Sequence, residues 1–386
     1  MSLNIILADI LILGLLINVI LINSVFSSNN YMGDDDLFEK KINFLIKLAH
    51  SPSLTACVVN KTDVIWSNGY GYYDVANKKI PNENTVYMAG SITKSVIAIA
   101  LLQLYEQGLF DLDDDINLYL PFELRNPNYP DENITFRMLM SHQSSLTEPS
   151  YSLMYRFFLF DFSYEWLDDF LLPVGSIYDS TVWSDSHPGE EYHYANIGYE
   201  VLGYLIEIIS NQTLEEYCKY NIFQPLSMMN TSFHVADFSI ENIASPYIYR
   251  LFRYIPLPHY DVGIKSAGGI RTTLSDLSIY LRMHMNNGIF DNEIILNETL
   301  IDLMHTVQYP DSNYCMGWGK ITDSDGVVYG GIAGGVIGSA AYMFHREIDD
   351  VGLIFFMNSN RVIQIRPFYF ESQAFGKIWD LLWSIS

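Results

Sequence analysis

The sequence predicts an α+β fold, on three observations. Apolar runs suited to strands occur at residues 54–59 and 64–69, and again at 326–329, 339–344 and 351–357. The stretch between them, about 112–260, reads as helices joined by long loops, so strands at both ends enclose a helical middle. Hydrophobic residues make up 49% of the 386 and charged residues 17%, a balance that builds a large core rather than a disordered chain.

The first 27 residues stand apart from that domain. Residues 3–22 are mostly aliphatic, 10–17 form an apolar core of signal-peptide length, and Val25-Phe26-Ser27 offers small residues for cleavage after Ser27. No Lys or Arg precedes Lys40, so the positive leader region is missing. A cleaved signal peptide and export are expected, because Asp9 and two asparagines are costly at membrane depth; the alternative is an uncleaved anchor over residues 3–22. Residues 28–39, with Asp34-Asp35-Asp36, read as an acidic linker. Residues 40–386 then form the domain, with an α/β part at about 40–110 and 261–386 and a helical part at about 111–260. The aromatic run Tyr155-Arg156-Phe157-Phe158-Leu159-Phe160 reads as core, and a closing helix is expected near 370–382.

Two motifs carry the chemistry. The first is Ser91-Ile92-Thr93-Lys94, at the mouth of an apolar helix that stops near Gly108. Positions i and i+3 share a helix face, so the Lys94 amine can reach the Ser91 hydroxyl. A hydroxyl is a poor nucleophile until a neighbouring base takes its proton. The bland alternative is a capping serine beside a solvated lysine; the nearly all-apolar stretch after Lys94 argues for burial instead. The second motif is Tyr194-Ala195-Asn196, on a loop entering a helix with Ile197, Val201, Leu202, Leu205, Ile208 and Ile209 at helical spacing. Tyr194 can act as a general acid or base if a cation lowers its pKa, and Asn196 can offer an amide to a substrate carbonyl. By itself Tyr194 is one of 28 tyrosines, and Asn196 is a plausible helix N-cap.

Together these motifs resemble the serine β-lactamase and penicillin-binding-protein-like family, in particular its class C branch with related esterases and D-amino-acid peptidases. Further segments fall in that family's order: Gly69-Tyr70-Gly71, Leu139-Met140-Ser141-His142-Gln143-Ser144-Ser145-Leu146, Ala267-Gly268-Gly269-Ile270-Arg271 and Met316-Gly317-Trp318-Gly319. The resemblance covers roughly residues 40 to 386. It implies an antiparallel β-sheet flanked by helices with an all-helical insert, and an acyl-enzyme mechanism on Ser91. It further implies that Lys94 and Tyr194 move the proton, that Asn196 binds substrate, and that the N–H groups of Ser91 and Gly335 form an oxyanion hole. His142 falls in a structural loop and receives no catalytic role.

One departure stands out. The family's third motif is Lys-Thr-Gly or His-x-Gly, and its counterpart here reads Ile332-Ala333-Gly334. The cation that would bind a substrate carboxylate is replaced by isoleucine. The glycines Gly334 and Gly335 remain, and a strand without side chains lets another backbone approach closely.

The formal charge of -24 excludes a basic nucleic-acid footprint. Cys57, Cys218 and Cys315 match no zinc or redox spacing, and no His-Glu-x-x-His occurs, so no metal or cofactor is expected. Sequons at Asn60, Asn133, Asn211, Asn230 and Asn297 would carry glycans only in a eukaryotic secretory route. Two functions follow. One is a secreted serine hydrolase acting on a small acyl substrate, with neutral esters favoured. The other is a catalytically impaired binding or scaffold protein, for which Ile332 is the main support.

Overall fold

The computed structural model describes residues 35–148, 163–359 and 369–385. Six strands form one antiparallel sheet: β1 (Ser53–Val59), β2 (Val64–Gly71), β3 (Gly319–Thr322), β4 (Val328–Val336), β5 (Ser339–Arg346) and β6 (Val351–Met357), in the spatial order β2-β1-β6-β5-β4-β3. Front and back of the chain meet where β1 pairs with β6, with Leu54 opposite Met357. These two strands are buried along their whole length, which requires cover on both faces.

Period-two alternation assigns the faces. Leu353, Phe355 and Met357 join Leu54, Ala56 and Val58 under helices α1 (Asp35–Leu48) and α5 (Tyr369–Trp383), which supply Ile42, Leu45, Ile378 and Leu382. Ile354 and Phe356 enter the larger core on the opposite face, with Cys57 and Met343. That core is built on α2 (Thr93–Glu106), α3 (Asn196–Ser210) and α4 (Leu274–Met285). Helix α2 is hydrophobic on nearly every side and buried from Thr93 to Leu102, so it runs through the protein rather than over its surface.

Several boundaries differ from expectation. Helix α1 starts at Asp35, so the last residues of the expected acidic linker belong to a helix. The strand expected at 326–329 runs instead from Val328 to Val336; Gly326, at φ +82°, makes the turn before it. Glycine-rich composition hid a strand whose residues are selected for closeness rather than β-propensity. Strand β3 was not anticipated. The middle of the chain also carries a two-stranded ribbon, Tyr247–Arg250 paired with Arg253–Pro256. The expected N-terminal segment and the run at 155–160 lie outside the described residues. No helix among the described residues is long and apolar enough to cross a membrane.

Candidate active site

Ser91 lies in a single 3-10 turn, Gly90–Ile92, immediately before α2 and not on the helix itself. The turn abuts the part of β4 that extends beyond its pairing with β3. A Cβ on Gly334 would stand 1.9 Å from the Ala89 carbonyl oxygen and 2.8 Å from the Ser91 nitrogen. A Cβ on Gly90, at φ +55°, would stand 2.6 Å from the Gly335 nitrogen. Only glycine at both places lets strand and turn lie against each other.

Lys94 is fully buried. In its charged form Nζ donates to Ser91 Oγ at 3.1 Å, Asn196 Oδ1 at 2.7 Å and the Ala267 carbonyl at 2.6 Å. All three acceptors are uncharged. Burial therefore dominates and lowers the lysine to about 7, although Glu148 and Glu200 act in the opposite direction. A neutral amine has two N–H groups and one lone pair. With carbonyl oxygens of Asn196 and Ala267 taking the two N–H groups, the lone pair faces Ser91 Oγ.

Tyr194 Oη is 2.8 Å from Ser91 Oγ. Tyr194 is 37% exposed, with the His142 ring 4.3 Å from its ring centroid and Lys94 Nζ 5.1 Å from it. The condition set by the sequence reading is not met, since no cation lowers this phenol. Desolvation, with the Glu148 charge, pushes it well above the ordinary tyrosine value, against the lowering by the Ser91 hydrogen bond. Tyr194 is thus a protonated phenol at neutral pH.

Asn196 is the first residue of α3, whose N-cap is Ala195. Its side chain does not cap the helix. Glu148 accepts from its backbone N–H at 2.8 Å and from Nδ2 at 3.1 Å, which leaves Oδ1 to face Lys94. Burial raises the Glu148 carboxyl, against those two hydrogen bonds and Lys94. One helical turn further, buried Glu200 accepts the Ala267 N–H at 2.9 Å, and burial pushes its carboxyl up to about 8. Lys94 is therefore linked through Asn196 to one carboxyl group and through Ala267 to another.

His142, at φ +59°, accepts the Ala195 N–H through Nδ1 at 3.2 Å. Burial and the Lys94 charge keep it neutral, and its ring packs among Tyr194, Tyr199 and Tyr314. Ile332 shares a face of β4 with Gly334 and is 6% exposed, in the larger core. No cationic side chain occurs on β4. Arg271 is committed elsewhere, to Asp261 at 3.3 Å and to the Tyr260 carbonyl. Among the described residues no group of three or more His, Cys, Asp or Glu could hold a metal ion, and the three cysteines are free and buried.

The structure thus brings Ser91, Lys94, Tyr194, Asn196, Gly334 and Gly335 together. Sequence reasoning missed Glu148, Glu200 and the Ala267 carbonyl. Glu200 carried a signal, since it lies four residues after Asn196 and shares its helix face. Glu148 carried none, because it reaches the site from a loop.

This architecture defines a class. The chain belongs to the beta-lactamase family, whose model matches residues 39–371. Protein flp of Staphylococcus aureus (strain N315) is 25% identical over 300 residues, which cover 76% of this chain and 57% of that protein. Beta-lactamase-like protein 2 of Dictyostelium discoideum is 27% identical over 65% of this chain and 44% of its own length. The chain thus spans about half the length of these curated relatives. Among solved structures, the octameric penicillin-binding protein homologue from Pyrococcus abyssi superposes with a TM-score of 0.72 at 25% identity, covering 90% of this chain and 78% of that one. The D-amino acid amidase from Ochrobactrum anthropi SV3 superposes at 0.70 with 20% identity, over 90% of this chain and 99% of that one, a likeness of fold. The fold is that of a hydrolase superfamily acting on acyl, amide and ester groups.

Proposed function

We propose that this protein is a serine hydrolase that works through an acyl-enzyme on Ser91 and favours neutral esters. The observation that carries the reading is the contact of Ser91 Oγ with both the Lys94 amine and the Tyr194 hydroxyl, at 3.1 and 2.8 Å. Neutral Lys94 takes the Ser91 proton as Oγ bonds to the substrate carbonyl carbon. The N–H groups of Ser91 and Gly335 hold the resulting oxyanion. Protonated Tyr194 donates to the leaving oxygen as the ester bond breaks, and the Lys94 ammonium, holding the former Ser91 proton, returns a proton to the Tyr194 phenolate. Water then cleaves the acyl-enzyme by the same route in reverse.

Ile332 supports the preference for esters. A substrate carboxylate gains no charge-assisted hydrogen bond from β4. A neutral ester needs no such partner. The same isoleucine favours a second reading, an impaired family member that binds without turnover. Fluorophosphonate labelling separates the two. Labelling that disappears in Ser91→Ala supports the hydrolase; a folded wild type that never labels supports the binding protein. The proposal also places the mature chain outside the cytoplasm, beginning at Ser28. N-terminal sequencing tests this, and an intact Met1 in a membrane fraction overturns it.

A further inference from the structure

We propose that the tip of the ribbon Tyr247–Arg250/Arg253–Pro256 docks on an anionic lipid surface, with Leu251 and Phe252 entering the headgroup layer and Arg250 and Arg253 lying against its phosphates. The four tip residues break local rules in ways that point outward together. Leu251 is 80% exposed and Phe252 91% exposed. Both sit at positive φ, +50° and +60°, in a two-residue turn whose positions suit Asn, Asp or Gly. Large apolar side chains there gain nothing from packing and work against the turn.

The flanking residues add a charge signal. Arg250 and Arg253 are direct cross-strand partners, and like charges so placed repel. The chain has 45 acidic residues against 21 basic ones, yet neither arginine makes an ion pair among the described residues. Arginine suits phosphate because its planar donors can bind two oxygens at once. Behind the arginines lies a layer of half-buried rings: Tyr249 and Tyr254 are 5.2 Å apart, and His50 stacks on Tyr249 at 4.0 Å. Amphipathic rings behind an apolar, cationic tip match the order of a bilayer interface.

A protein partner fits less well. A four-residue tip is far smaller than a stable protein interface. A bilayer needs only a small inserted wedge. The acidic body does not prevent contact, because charges more than about 8 Å apart are screened at physiological ionic strength.

The test uses the full chain and phosphatidylcholine vesicles with and without phosphatidylserine. Phe252→Trp places a reporter at the tip. Its emission should shift to the blue and be quenched by brominated acyl chains on the phosphatidylserine vesicles. Leu251→Asn with Phe252→Gly installs the residues the turn prefers, so its melting temperature should equal or exceed that of the wild type. That variant should lose at least about tenfold in partitioning. Unchanged emission from the Phe252→Trp reporter overturns the proposal, as does vesicle binding that is equal in wild type and double variant. If the double variant instead abolishes self-association in solution, the tip is a contact between copies and the lipid proposal fails.

Discussion

Two lysines flank Glu200, and their surroundings are opposite. Lys94, at the Ser91 pole, touches only uncharged oxygens, and burial lowers it to about 7. Lys265, at the junction of α3 with the short helix Lys265–Gly268, contacts Glu215 at 2.9 Å and Glu207 at 3.4 Å. Burial lowers it too, but Glu215, Glu207 and Glu200 together outweigh that and raise it above the ordinary lysine value. Burial alone therefore does not make a lysine a base. A partner set of dipoles leaves the amine free to lose its proton, whereas a partner set of carboxylates fixes the charge.

The sharpest way to break this contrast is to remove each partner set in turn. Ser91→Ala and Lys94→Met should each lower turnover by roughly a thousandfold or more, since members of one catalytic unit are not additive. The fold should remain, as circular dichroism will show. Lys265→Met should do the reverse. It leaves carboxylates without their cation and should cost about 1–3 kcal/mol in urea unfolding, with the turnover of folded protein close to normal. Near-normal turnover in Ser91→Ala sinks the mechanism.

Glu148→Gln tests whether dipoles alone set the state of Lys94. A carboxylate accepts both Asn196 donors, but a glutamine must turn its own amide hydrogens toward one of them. The Asn196 side chain then loses its fixed orientation, and kcat/KM should fall roughly tenfold to a hundredfold. The pH profile distinguishes this from a general packing defect. In the wild type, activity should fall as pH drops through about 7, because Lys94 gains a proton there. Glu148 raises the Lys94 pKa, so that acid limb should move to lower pH in the variant.

Ile332→Lys or Ile332→His puts a cation on the strand bordering the Ser91 pole. Preference should shift toward carboxylate-bearing substrates by about tenfold to a hundredfold, the worth of one charge-assisted hydrogen bond. Competition between a neutral ester and a free-carboxylate analogue reads it directly. A wild type that already prefers the carboxylate shows that another cation serves the site.

The smallest effect concerns stability. Folded Glu200 keeps its proton to about 8, against 4.5 for an unperturbed carboxyl. Between those values the folded state holds a proton that the unfolded state has released, so stability falls as pH rises. Glu200→Gln retains the Ala267 acceptor and cannot ionise. It should be more stable than wild type at pH 8 by on the order of 1–3 kcal/mol, with the difference vanishing toward pH 4.5. Unfolding curves across that range check the sign.

Sequence and tertiary structure contributed different parts of this picture. Local pattern determined the α+β class, the central strands, the apolar helix after Lys94 and the short-range proximity of Lys94 to Ser91, because side-chain periodicity and i, i+3 geometry need nothing beyond the chain nearby. The absence of a cation on β4 was equally legible, since it is a matter of residue identity. The length of β4 was not, because its glycines answer to the Ala89–Ser91 backbone that lies against them. The protonation state of Tyr194 was left open for a related reason. A pKa depends on everything packed around the group, and here Glu148 approaches from a loop while no cation compensates. The orientation of Asn196 and the neutral set around Lys94 arise only when Ala267 and Glu148 are brought in from distant points of the chain. Sequence specified which groups could react; tertiary structure decided their charge states, because charge is set by desolvation and by dipoles that only the folded chain assembles.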